Sequence, residues 1–204
     1  MAETIVTVFV EGDTEVDFYK KLIAYFREKN GGRLHCKVDV RNVKGVGRYQ
    51  NKVCRIFENS VKKQYPGHDY KVVLCYDSDV FEFSRKPPVD WDEVTRALRE
   101  KGADDVRLVK AVTSIEDWFL YDVEGLRKFL KLPKKFKMTG YKGQKGLAQL
   151  FLKAKKTYIK GVRCNGLIEA LDLDVIIPNI ESEIANISEL LPHSFIPQSD
   201  TVEI

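Results

Sequence analysis

The apolar and polar positions open with a β-branched and aromatic run, IVTVFV at 5–10, that ends on Glu11-Gly12. Val16, Tyr19, Leu22, Ile23 and Phe26 then recur at helical spacing, which predicts a strand, a tight turn and a helix over 14–29. Thr14 with Asp17 three positions on has the form of a capping box, and Asn30-Gly31-Gly32 stops the helix. A second strand is predicted over 34–40. After the glycine-rich loop Lys44-Gly45-Val46-Gly47, residues 49–63 carry Val53, Ile56 and Phe57 on one side and read as a second helix, closed near Pro66-Gly67. The run KVVLCY at 71–76 is nearly continuous in hydrophobicity, as expected of a strand buried on both faces of a parallel sheet, and it delivers Asp77-Ser78-Asp79 at its end. Residues 90–101 form a third predicted helix, between Asp90 and Gly102. Residues 106–112 form a fourth strand, and a helix begins at Ser114-Ile115-Glu116-Asp117 and runs through about 130.

Strands that alternate with helices imply right-handed crossovers and an α/β fold: a mostly parallel, Rossmann-like sheet of about four strands flanked by helices. Beyond Leu132 the pattern reads as helical and basic, then helical and acidic, with Pro178 and Pro192 as breaks. The organisation predicted is a core over 1–126 and a helical C-terminal lobe over 127–204. A chain of 204 residues, 44% hydrophobic and 31% charged, has globular composition, and excludes collagen-like, low-complexity and wholly disordered classes. No apolar run approaches the roughly 20 residues of a membrane helix, and the N-terminus meets acids too early for a signal peptide, so a cytoplasmic protein is expected. Cys36, Cys54, Cys75 and Cys164 show no CxxC or Cys/His finger spacing, and point to neither disulfides nor structural zinc.

Charge alters this picture, because the net +4 hides an asymmetry. Residues 127–163 hold 13 Lys or Arg and no acid, whereas 164–204 hold eight acids and no Lys or Arg. Lys134, Lys135, Lys137, Lys142, Lys145, Lys153, Lys155, Lys156 and Lys160 have the composition of a nucleic-acid contact, interleaved with Phe136, Tyr141, Phe151 and Tyr158 as candidates for base stacking. The plainer reading is a solvated face that the acidic tail partly neutralises.

In an open α/β sheet functional groups gather at the carboxyl ends of strands, and three of the four predicted ends carry carboxylates: Glu11, the pair Asp77 and Asp79, and Glu116. Asp77 and Asp79, two apart on an extended stretch, point the same way, and Glu11 with Glu15 reaches the same space from the first turn. Carboxylates without basic partners repel one another, and a hard divalent cation removes that penalty, which makes Mg²⁺ or Mn²⁺ the natural cofactor. Taken singly, each acid also fits a helix-terminal charge or an Asx turn.

These residues carry a resemblance. VFVEGDTEVDFYKKL resembles the opening motif of TOPRIM domains as found in overcoming-lysogenisation-defect (OLD) nucleases and small RloB-like proteins, and VVLCYDSDVF resembles the TOPRIM Asp-x-Asp motif. SIEDWFL at 114–120 is similar to the patch that follows the last core strand in stand-alone bacterial defence members. The resemblance covers about residues 5–130. It implies a TOPRIM fold in which Glu11 is metal ligand or general base, Gly12 permits the turn, Asp77 and Asp79 bind Mg²⁺, and Glu15 helps hold a second ion. Such a site hydrolyses phosphodiesters, and Lys110 is a candidate stabiliser of the developing phosphorane charge.

The expectation is therefore a Mg²⁺-dependent nuclease acting on DNA or RNA, in bacterial or phage defence. No GxxxxGK[ST] occurs, so an ATPase would be a separate, operon-encoded partner. The rival is a non-catalytic TOPRIM-like module that binds nucleic acid for a partner protein. Other enzyme classes fail on residues: a dehalogenase-like phosphatase wants its Asp-x-Asp after strand one, and no nucleophile elbow accompanies His35, His68 or His193.

Overall fold

The run at the start of the chain forms a strand whose alternate residues face two separate cores. Val6, Val8 and Val10 pack into one and Ile5 and Phe9 into the other, all fully buried. The computed structural model describes residues 3–79 and 89–191. Strands β1 (Thr4–Val10), β2 (Cys36–Asn42), β3 (Asp69–Asp77) and β4 (Asp105–Ala111) form one sheet in the order β2-β1-β3-β4, every neighbouring pair parallel. This is the expected Rossmann-like α/β arrangement. β2 begins two residues later than its hydrophobicity predicts, because pairing with β1 runs from Thr4 against Cys36 to Val10 against Asn42.

Helix α1 (Asp13–Lys29) covers one face of the sheet. Helix α2 starts as Tyr49–Ile56, passes through a π-turn at Phe57–Val61 and ends as Lys62–Gln64; with α3 (Trp91–Glu100) it covers the other. The single helix predicted after β4 is two, α4 (Ile115–Tyr121) and α5 (Val123–Leu130). The break falls at buried Asp122, whose carboxylate accepts from the Gly125 N–H (2.9 Å) and from the Asp172 N–H (2.7 Å), so it caps α5.

The C-terminal segment is less helical than its pattern predicts. Residues 131–142 contain no helix: Lys131 turns left-handed at φ 55°, Pro133 follows, and Gly140 lies at φ 88°. Only α6 (Gly143–Lys153), the single-turn α7 (Leu167–Ala170) and α8 (Leu173–Ser188) follow. Pro178 does not break α8 but lies inside it. It removes one backbone bond, and the burial of Leu173, Ile176, Ile180, Ile184 and Ile187 on one stripe outweighs that loss. Those aliphatics join the core that holds α1 and α4, so α8 packs on the sheet side of the molecule.

Three acids of α8 and its ends find partners there: Asp174 pairs with Lys29, Glu189 with Arg107, and Glu183 accepts from the Trp118 indole and the Val112 N–H. Among the described residues none pairs with the 127–163 cations. The segment from Pro192 on, with His193 and the last acids, lies outside the described residues. The four cysteines are free thiols, and no helix among the described residues is long and apolar enough to cross a membrane.

Candidate functional site

β1 has β2 on one side and β3 on the other, so the chain reverses its direction of sheet growth between them. In such sheets the crevice beyond the carboxyl ends of those two strands is the place for ligands. Glu11 follows β1 directly, and Asp77 is the last residue of β3. A hydrogen bond joins them: the Asp77 N–H donates to Glu11 Oε1 (3.1 Å). Asp77, 4% exposed, turns Oδ1 toward the first N–H of α4, on Ile115 (2.9 Å), where the helix dipole favours its charge. The turn after β3 is held to the loop after β4 by the Ser78 N–H to the Ala111 carbonyl, the Asp79 N–H to the Thr113 carbonyl, and the Thr113 N–H to Ser78 Oγ. Thr113 takes φ 69°, a strained conformation for a β-branched residue, at the point where it steadies Asp79.

Glu15, one helical turn from Glu11, is 5% exposed, and Glu116 in the first turn of α4 is 1% exposed. Glu116 Oε1 accepts from the Tyr158 hydroxyl (2.8 Å). Glu15 Oε2, Asp79 Oδ1 and Glu116 Oε2 are buried without a hydrogen-bond partner. The sequence-predicted carboxylates thus gather in one place. Lys110 does not join them: it is exposed on β4, opposite Tyr76 of β3, and makes no ion pair or hydrogen bond with any of the acids.

The cation among these acids comes from a distant part of the chain. Lys160 Nζ lies 2.6 Å from Asp77 Oδ2 and 3.3 Å from Asp79 Oδ2. The approach to Asp77 is a close ion pair rather than a well-aimed hydrogen bond, since the same oxygen has no partner of good hydrogen-bond geometry. The loop that delivers it, 158–163, is stapled to the first turn of α1. The Asp13 N–H donates to the Gly161 carbonyl (3.0 Å), Thr14 Oγ1 to the Val162 carbonyl (2.8 Å), and Arg163 grips both oxygens of Asp17 (2.7 and 3.0 Å). Thr14 and Asp17 therefore do not form the capping box expected of them. They receive this loop, and Gly12 is the N-cap of α1. A methyl group on Gly12 would come within 2.6 Å of Gly161 Cα, so glycine is required there by close approach of two backbones.

One lysine does not balance the cluster. Burial first, then Asp77, pushes the Glu11 carboxyl up to about 8; burial, then Asp77 and Glu116, pushes Glu15 up to about 7. Burial raises Asp77 to about 6 against the opposing pull of Lys160. The acids in turn hold the Lys160 ammonium above its usual range despite burial, and burial together with Glu116 does the same to the Tyr158 phenol.

Two spaces adjoin these groups. A cleft of about 440 Å³ is lined by Glu11, Gly12, Glu15, Lys44, Lys160 and Gly161, among others. A cavity of about 10 Å³, at the lower limit for one water molecule, lies among Glu11, Glu15, Tyr19, Cys75 and Asp77. A larger cavity of about 610 Å³, bordered by Lys21, Tyr25, Asp122 and Lys128, shares no residue with either.

Among the described residues no group of three His, Cys, Asp or Glu stands ready around a metal position. The donor set nevertheless suits a hard cation, because it is all oxygen, mostly buried, and holds three carboxylate oxygens without partners. Glu11, Glu15, Asp77, Asp79 and Glu116 are the residues that would hold such an ion, with Lys160 moving aside.

The basic segment divides into two groups. Lys134, Lys135, Lys137, Lys142, Lys145, Lys153, Lys155 and Lys156 are exposed, and Lys156 lies over the Phe129 ring at 4.4 Å. Lys160 is instead half-buried in the carboxylate cluster. Of the interleaved aromatics, Phe151 and Tyr158 are buried in the core and do not present faces to bases, whereas Phe136 and Tyr141 are half-buried and stack on each other at 6.5 Å. Comparison with known proteins finds no match: no family model fits the chain, and no curated protein or solved structure matches it.

Proposed function

We propose that this protein is a Mg²⁺- or Mn²⁺-dependent nuclease of TOPRIM-like type, hydrolysing phosphodiester bonds of DNA or RNA. The observation that carries the reading is the concentration of Glu11, Glu15, Asp77 and Asp79, with more negative charge than Lys160 can neutralise, at the switch point of a parallel sheet. A bound divalent ion would supply charge neutralisation of the phosphate and an acidified water at neutral pH.

The chain's own residues have separable tasks in this reading. The Ile115 and Asp77 N–H groups fix the orientation of the Asp77 and Glu11 carboxylates through their hydrogen bonds. Glu11, with its raised affinity for a proton, is the candidate general base. Lys160, rather than Lys110, is the ammonium positioned to meet a non-bridging phosphate oxygen once substrate draws it from Asp77 and Asp79. The exposed lysines from Lys134 to Lys156 contribute sequence-independent attraction for the backbone. A role in bacterial or phage defence, with a separate ATPase as partner, follows from the resemblance of the strand-end motifs.

One observation favours a second reading. Lys160 already pairs with Asp77 and Asp79, as in a site that has given up its metal for an internal counter-ion. The chain would then be a non-catalytic module that binds nucleic acid for a partner. Plasmid, linear single-stranded DNA and structured RNA, each incubated with Mg²⁺, Mn²⁺ or EDTA, separate the two. Metal-dependent cutting that disappears in a folded Asp77→Ala/Asp79→Ala protein is the expected result. Absence of cutting under every metal condition, with salt-sensitive binding retained, leaves the module.

A further inference from the structure

A charged surface outside the basic segment meets the cleft from the β2 side. Arg48, at the N-cap of α2, Lys52 and Arg55 follow one another at intervals of four and three residues, which sets them along one side of that helix, and Lys44 precedes them in the loop after β2. Lys44, Arg48 and Arg55 are exposed and Lys52 is half-buried. Of the nearby acids Asp39 is paired with Arg41 and Glu58 with Lys101, while Glu93 accepts from the Gln50 amide and Asp13 from the Asn42 amide. Partial desolvation, and next to it repulsion from Arg48, Arg55 and Lys44, lowers the Lys52 ammonium below its usual range.

The stripe is joined to the site at its upper end. Lys44 is held left-handed at φ 64°, a position a lysine occupies under strain, by donation of its N–H to Asn42 Oδ1 (2.6 Å). The next residue, Gly45, donates its N–H to the Glu11 carbonyl (2.8 Å). Lys44 lines the same cleft as Lys160. At the start of α2 the buried Tyr49 hydroxyl reaches the Phe9 carbonyl (3.1 Å) and the Cys75 carbonyl, both at the carboxyl ends of strands flanking the site.

We propose that Lys44, Arg48, Lys52 and Arg55 form a track that leads the sugar–phosphate backbone of a nucleic acid into the carboxylate cleft. The inference rests on the phosphodiester reading above and assigns the path by which its substrate enters. Successive cations with only Gln50 and Asn51 between Tyr49 and Lys52 suit a polyanion with regularly repeated charge. A membrane surface does not fit, because the apolar side of α2, Val53, Phe57 and Val61, is spent in the core.

The test is binding, read in EDTA so that cleavage does not intervene. Fluorescein-labelled single-stranded DNA, duplex DNA and an RNA hairpin are titrated with the wild type, with Lys44→Gln/Arg48→Gln/Lys52→Gln/Arg55→Gln, and with Arg48→Glu alone, each checked for an unchanged melting curve. The quadruple variant is expected to bind at least tenfold more weakly near 0.1 M salt and to lose about 3 from the slope of log K against log salt. Arg48→Glu shifts both in the same direction by less, and stands in for the quadruple variant if that protein melts early. Wild-type affinity and slope in a folded quadruple variant overturn the track, even where the Asp77→Ala/Asp79→Ala protein has lost cleavage. Weakened binding by the variant, from a wild type that never cleaves, keeps the track and removes the nuclease reading. Failure of the wild type to bind any of the three probes, or equal competition by poly-glutamate, overturns the track.

Discussion

Glu11, Glu15 and Asp77 all hold their protons more tightly than ordinary carboxylates, and the consequence for stability has a definite sign. The folded values of Glu11 (about 8), Glu15 (about 7) and Asp77 (about 6) all lie above those of the unfolded chain. Between roughly the ordinary carboxylate value, 4.5 for Glu, and about 8, the folded state therefore binds more protons than the unfolded state. Stability must fall as pH rises through that window. Lys160 adds no slope there, since its ammonium is retained throughout. In EDTA the melting temperature is expected to drop on the order of 5 °C across the window, and Glu11→Gln to remove most of the upper part of the fall. A melting temperature that rises with pH would contradict the electrostatic picture. At this scale the acids were legible, because acids at strand ends are read from local sequence. The receiving roles of Thr14 and Asp17 were not, because their partners lie about 146 residues away and the local spacing fits a capping box equally well.

The loop 158–163 is the element on which the site turns, because it brings the only lysine in contact with Asp77 and Asp79 among the described residues. Removing that charge while keeping its bulk tests the arrangement. Lys160→Met leaves Asp77, 5% exposed at its side chain, without a counter-ion. It is expected to cost about 3 kcal/mol in urea unfolding at the upper end of the pH window in EDTA, and much less near its lower end, where the carboxylates take up protons instead. If the acids accept a divalent cation in place of the ammonium, Mn²⁺ binds this variant more tightly than wild type by calorimetry. Unchanged stability at both pH values would show that Lys160 is a bystander. The stripe on α2 was in principle visible, as cations at intervals of four and three. It was obscured by the near balance of 21 basic and 22 acidic residues over 1–126, which conceals their clustering on one side of an element. Beyond Leu132 the composition reads as helical, and Pro133 and the left-handed turn at Lys131 override that tendency as far as residue 142.

At the scale of the whole molecule, α8 completes the core. Its five buried aliphatics, at about 1.5–3 kcal/mol each, contribute roughly 10 kcal/mol before the compactness of the unfolded chain is discounted. That is comparable with the entire stability of an ordinary domain. A chain shortened after Arg163 is therefore expected to show no cooperative melting and to be cut rapidly by protease. A folded product would mean that the sheet and its first helices suffice. The parallel sheet was legible because strands buried on both faces read as continuous apolar runs. The passage of α8 through Pro178 was not, because its justification lies in the surface it covers, which only the tertiary structure supplies.

The contact between Gly12 and Gly161 joins two distant parts of the sequence at one point. During synthesis the carboxylates at 11, 15, 77 and 79 leave the ribosome long before Lys160. From the synthesis of Asp79 to that of Lys160 the nascent chain carries a group of acids whose balancing charge has yet to be made. The pocket is thus among the last parts of the protein to reach maturity, and a ribosome stalled before Lys160 holds a polypeptide that cannot yet assemble it.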